Sequence, residues 1–238
     1  MYPDVVELRT FYQSRLGRLA TQYLYLRVRE FWPSAKDQSI LGVGYTIPYL
    51  INFLGESECV LALMPSNQGV HYWPERMDCL SFLADEELFP LPDASLDKIL
   101  SIHALEKTGN VRNLLREVWR VLKPEGKALF VVPNRRGIWA RLEQTPFGYG
   151  QPYSFLQLNN LLEESMFLTT SRAAALFFPP GSSNLFLRVA GSLEHIGIWL
   201  RATGIAGVLI VEAKKQIYAP VDSRKKRDLV GRQIISTS

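Results

Sequence analysis

Apolar side chains in the opening thirty positions recur every three or four residues: Val5, Leu8, Tyr12, Leu16, Leu19, Tyr23 and Leu26. That is the spacing of one helix face. The run stops at Trp32-Pro33, where proline removes a donor and biases its predecessor toward extended backbone. Beyond it the texture changes. "QSILGVG", "CVLALMP", "DCLSFLAD" and "SLDKILSIHAL" are short, almost continuous apolar runs that read as four buried strands, with "IPYLINFLG" a helix after the first. Proline and acids make "DEELFPLPDAS", ahead of the fourth strand, a loop. Val111, Leu114, Leu115, Val118 and Leu122 mark one face of a helix that ends in a Lys-Pro-Glu-Gly turn, and "KALFVVPN" follows as a fifth strand.

The remaining pattern predicts a helix over "PYSFLQLNNLLEESMF" with Ser154 as its cap and a strand in "LTTSRAAALFFPP". A helix over 183–203 and a last strand in "GIAGVLIVEAKKQIY" complete it. The pattern leaves the pairing of these late strands open. Buried strands alternating with amphipathic helices imply an α/β, doubly wound, mainly parallel sheet with helices on both faces. The expected division is an N-terminal helical cap over 1–34, the sheet domain over 35–219 and a basic, disordered tail over 220–238.

Composition narrows the class. A chain of 238 residues, 47% hydrophobic and 21% charged, suits one domain with a full core. Cys59 and Cys79 have no metal-ligand spacing and read as reduced core thiols. No apolar run is long enough to span a bilayer, and "MYPDVVELRT" lacks the order of a signal peptide, so the expectation is a soluble, cytoplasmic protein. The net charge is +4, yet from Lys214 onward seven basic residues face two acidic ones, which leaves residues 1–213 at −1. A large nucleic-acid footprint wants a basic stripe on the fold itself. Nucleic-acid contact is therefore expected only through the tail, and oligomeric state stays open.

The stretch "SILGVGYTIPYL" places Gly42 and Gly44 at the end of the first strand, without the third glycine of a dinucleotide fingerprint. Ligands of an open parallel sheet sit outside the carboxyl ends of its strands. Three further loops, "MPSNQG", "DEEL" and "HALEKT", should reach the same edge.

The ordered pattern "LPLPDASLDKILSIHALEKTGNVRNLLREVWRVLKPEGKALFVVPN" resembles the core of class I S-adenosylmethionine-dependent methyltransferases of the type 11, UbiE-like kind. The resemblance covers about residues 35–135. It implies a Rossmann-like fold, S-adenosylmethionine as cofactor and methyl transfer to a small or medium-sized acceptor. It puts Gly42, Gly44 and Tyr45 against the methionine part of the cofactor and Met64 at the ribose position. Asp85, with Glu86 beside it, takes the adenine amino group. His103 and Ala104 line the pocket, and Tyr12 closes over it. Two positions depart from the family: Ile40 and Met64 stand where it usually has acids, with Ser66 or Asn67 near enough to compensate.

Methyl transfer needs positioning more than a strong catalytic group. Where a proton must leave the acceptor, His103 is the candidate base; its other reading is a pocket-lining or core histidine. Asn134, Arg135 and Arg136 are acceptor-side candidates for an anion, or else a turn cap and surface ion pairs. Phe147, Tyr149 and Tyr153 form a mobile lid or pack their loop onto the sheet. His71 and His195 read as ordinary residues, and the five tryptophans as core and lid packing. Two rivals stand beside the enzyme reading. One is a catalytically inactive methyltransferase-like protein that binds S-adenosylmethionine, S-adenosylhomocysteine or a protein. The other is an RNA methyltransferase gripping through its tail.

Overall fold

The computed structural model describes residues 3–181, 184–200 and 203–217; the basic tail lies outside them. Two helices, α1 (Val5–Gln13) and α2 (Arg15–Phe31), precede a seven-stranded sheet. The strands are β1 (Ser39–Gly44), β2 (Cys59–Pro65), β3 (Ser81–Ala84), β4 (Leu96–Ile102), β5 (Leu122–Pro133), β6 (Phe167–Ala175) and β7 (Val208–Lys215). Helices α3 (Ile47–Leu50), α4 (Val111–Val121), α5 (Phe155–Glu164) and α6 (Asn184–Trp199) lie between them in the chain. Across the sheet the order is β3-β2-β1-β4-β5-β7-β6. The first five strands pair in parallel, and β7 runs antiparallel between β5 and β6. The mainly parallel, doubly wound sheet is thus present, and β7 settles the pairing that the pattern left open.

Successive residues of a strand face opposite sides, and here both sides are covered. Ile40, Leu100, Leu129 and Ile210 pack in one cluster with Ala20, Leu24 and Val28 of α2. Leu41, Ile99, Phe130 and Leu209 pack in the other with Leu114, Leu115 and Val118 of α4. Burial on both faces is why the strands read as near-continuous apolar runs. Ser154 caps α5 through a full capping box with Gln157, as the sequence predicts.

Three expectations change. The single N-terminal helix is two helices broken at Ser14, whose N–H donates to Phe11 O and whose hydroxyl accepts from Gly17 N at 3.0 Å. Gly17 permits the fold-back, since a Cβ there would lie 2.0 Å from Phe11 O. The apolar spacing continues through the break, so periodicity alone misses it. Cys59 and Cys79 are exposed free thiols, not core thiols; Cys59 is the first residue of β2 and Cys79 lies ahead of β3. Trp199, at 81% exposure, belongs to no core, while Trp32, Trp73 and Trp139 are buried. Among the described residues no helix is long and apolar enough to cross a membrane.

Candidate functional site

The site begins where β1 ends. Gly44 has φ +89, and a Cβ on it would sit 2.2 Å from Ile102 O. That carbonyl already accepts Tyr45 N at 2.9 Å. At Gly42 a Cβ would strike Thr46 Oγ1. The turn therefore brings bare backbone to the carboxyl edge, the use to which glycine is suited.

Over this edge lies α1, capped by Asp4, whose carboxylate accepts from Val6 N and Glu7 N. Val5 N donates to Gln68 O at 2.8 Å, which ties the start of α1 to the loop after β2. The ring of Tyr12 stacks on Tyr45 at 5.3 Å between centroids. Its hydroxyl lies 2.8 Å from His103 Nε2 and accepts from Tyr49 at 3.2 Å. On its other side His103 Nδ1 meets Glu106 Oε1 at 3.2 Å. A carboxylate can only accept, so the neutral imidazole carries its proton on Nδ1 and its Nε2 accepts from Tyr12. The hydrogen bonds then run in one direction, Tyr49 to Tyr12 to His103 to Glu106.

Burial sets the proton affinities. It lowers His103 to about 4, helped by the neighbouring Lys107 ammonium and opposed by Glu106. It raises Tyr12 well above the usual phenol value and Tyr45 to about 12. At neutral pH the histidine is an uncharged acceptor and both phenols keep their protons.

Polar atoms beneath and around α1 are left without partners. Among the described residues both amide atoms of Gln68, Glu106 Oε2, Lys107 Nζ and Thr46 Oγ1 are buried and make no hydrogen bond. Such atoms are uncommon in folded proteins and call for an explanation. Burial lowers Lys107 to about 8, so it is charged at neutral pH and carries a desolvation penalty. Lys107→Met is expected to raise the unfolding free energy by about 1–3 kcal/mol, read as a higher urea midpoint. An unchanged midpoint would mean that the ammonium reaches water.

The sequence candidates separate into two groups. Gly42, Gly44, Tyr45, Tyr12 and His103 come together. Met64 is fully buried in the same core cluster as Ile40, so neither presents a polar group where the family has acids. Asp85 is exposed and accepts from Glu87 N at 2.9 Å, capping its own turn after β3; Glu86 is half-buried. Ser66 and Asn67 are exposed at the end of β2. The Asn134 amide donates to Thr203 O and Ala206 O and accepts from Arg136 N, so it ties the 203–207 loop to β5. Arg135 and Arg136 are exposed and Tyr149 is half-buried. Phe147 and Tyr153 are packed rather than lid-like: Phe147 lies 4.6 Å from His103, and Tyr153 donates to Leu105 O. Sequence reasoning passed over Glu106 and Lys107, although both stand in "HALEKT" just after His103. His71, which the sequence marked as an ordinary residue, is half-buried against Tyr45.

Comparison with known proteins follows the same outline. Residues 42–130 match the methyltransferase domain family. No curated protein sequence matches the chain. Similar solved structures include a Thermotoga maritima S-adenosylmethionine-dependent methyltransferase, described as a possible histamine N-methyltransferase. It has 16% identity and a TM-score of 0.62 over 89% of this chain and 96% of its own. A Haloferax volcanii methyltransferase in complex with the Trm112 activator has 15% identity and a TM-score of 0.61 over 85% and 94%. The cyclase SpnF has 16% identity and a TM-score of 0.54 over 92% and 98%.

Proposed function

With a methyltransferase domain over residues 42–130 on a class I methyltransferase fold as premise, we propose that this protein binds S-adenosylmethionine and transfers its methyl group to a small or medium-sized acceptor. One observation carries the reading: Gly44 holds a left-handed turn that excludes any side chain, at the carboxyl edge where β1 pairs with β4 and the strand order reverses direction. Gly42, Gly44 and Tyr45 hold the methionine end of the cofactor, with Asp85 and Glu86 at the adenine end. Gln68, buried beside the end of β2 with an unpartnered amide, serves the ribose hydroxyls in place of the carboxylate that Met64 does not supply. The unpartnered atoms beneath α1 are what a bound ligand would satisfy, and α1 is the cover that moves to admit it.

Bound S-adenosylmethionine supplies an electrophilic methyl on a sulfonium. The residues here orient the acceptor, exclude water and move its proton. Tyr12 relays the acceptor's proton to His103 Nε2, and Glu106 stabilises the resulting imidazolium. His103 binds a proton weakly, so the path favours acceptors that are already acidic.

The test is calorimetric titration of protein freed of bound ligand with S-adenosylhomocysteine. Binding in the micromolar range is expected, weakened about tenfold in Gln68→Leu by the loss of one or two hydrogen bonds. No heat at millimolar ligand would remove the enzyme reading. Of the second reading, a methyltransferase-like module without catalysis, only the form that binds a protein partner would then stand. The apolar burial of Ile40 and Met64 favours it, and a fold alone does not fix a reaction.

A further inference from the structure

A cavity of about 720 Å³ opens between α1, α2, α3 and the 71–77 loop, within the range of small-molecule sites. Tyr12 and Tyr45 stand in its wall, so it adjoins both the glycine turn and the Tyr12–His103 pair. Arg9, Arg18 and Arg76 line it as well. Among the described residues only Arg9 of these three has an ion-pair partner, Glu75 at 3.4 Å, and that pair is largely exposed. Two guanidinium groups are left over on a body whose net charge is −1 through residue 213. At the mouth Ile51, Tyr72 and Met77 are 54%, 56% and 57% exposed. Deeper in the wall His71 Nδ1 and Trp73 Nε1 are buried without partners.

Aromatic walls, an apolar mouth and unpaired guanidinium groups together describe one kind of guest. Flat rings stack on tyrosine faces, and guanidinium binds carboxylate through its planar fork. We propose that this cavity is the acceptor pocket and that it takes an aromatic carboxylate. The ring lies against the exposed Tyr72, and the carboxylate sits on Arg18 and Arg76. The assignment as acceptor pocket rests on the methyltransferase reading, whereas binding of the anion does not.

The experiment is calorimetric titration of the full chain with naphthoate and with its neutral isostere naphthamide, with and without saturating S-adenosylhomocysteine. The acid should bind about tenfold more tightly than the amide or better. The double variant Arg18→Gln/Arg76→Gln, both exposed positions, should lose that preference, and S-adenosylhomocysteine should not compete. Equal binding of acid and amide, no binding at millimolar probe, or an undiminished preference in the double variant would overturn the proposal. Competition by S-adenosylhomocysteine would also overturn it, by making the cavity part of the cofactor site. Acid-selective binding by a protein that takes no S-adenosylhomocysteine would keep the anion pocket and remove the methyltransferase reading. Cofactor binding without acid selectivity would remove the pocket alone.

Discussion

Gly44→Ala is expected to lower the unfolding free energy by about 3 kcal/mol or more and to abolish binding of S-adenosylhomocysteine. Two effects combine. The backbone at Gly44 has φ +89, a region that costs an L-residue about 1–2 kcal/mol. The added Cβ would also lie 2.2 Å from Ile102 O. That oxygen cannot simply retreat, because it accepts Tyr45 N and belongs to a residue paired with Gly44 between β4 and β1. Relief of the clash would open the ladder at the point that supports the site. Gly55 is the control: a Cβ there meets nothing within 4 Å, so Gly55→Ala should stay within about 0.5 kcal/mol of the parent. Urea unfolding of the three proteins decides the matter. A Gly44→Ala midpoint equal to that of Gly55→Ala would show that the turn does not need glycine.

Acidification should begin to destabilise the protein as soon as the pH falls below the ordinary histidine range. Unfolded, His103 takes up a proton near the ordinary histidine value of about 6.5; folded, it does so only near 4, because burial disfavours the imidazolium. Between those values the unfolded state binds more protons, so stability falls as pH falls through the window and levels off below about 4. A shift of that size corresponds to about 3 kcal/mol. His71, also lowered by burial, acts in the same direction. Glu194, raised by burial, opposes it at the acid end. The informative comparison is therefore with His103→Asn. Asparagine accepts the left-handed backbone that His103 has at φ +58, and its amide nitrogen can donate to Glu106 in place of Nδ1. The variant should lose most of the slope between pH 6.5 and 4 in urea midpoints. An unchanged slope would place the titrating group elsewhere.

Much of the fold was legible because parallel strands buried on both faces leave continuous apolar runs, and "QSILGVG", "CVLALMP" and "KALFVVPN" each became a strand. The capping box at Ser154 was legible because its chemistry is local, and Gly42 and Gly44 carried their own signal for the same reason. The turn expected at Lys-Pro-Glu-Gly instead lies inside β5, as an irregular stretch with Glu125 at φ +67 where the pairing with β4 shifts register. The break at Ser14 was not legible, since the apolar spacing passes through it undisturbed. The exposure of Cys59 and Cys79 depends on their places at the start of β2 and ahead of β3, which residue type does not encode.

The site followed the same division. Ordered residues within one stretch of chain were enough to indicate the sheet, its carboxyl edge and a glycine turn there. Only the tertiary structure decided that Tyr12 meets His103 across 91 positions of sequence, and that Asn134 ties down a backbone loop. It alone set Arg9, Arg18 and Arg76 around one cavity. Local conformation is fixed by neighbours in the chain and periodicity reports it. Proton affinity, burial and the assembly of a pocket are set by atoms that become neighbours only when the chain has folded.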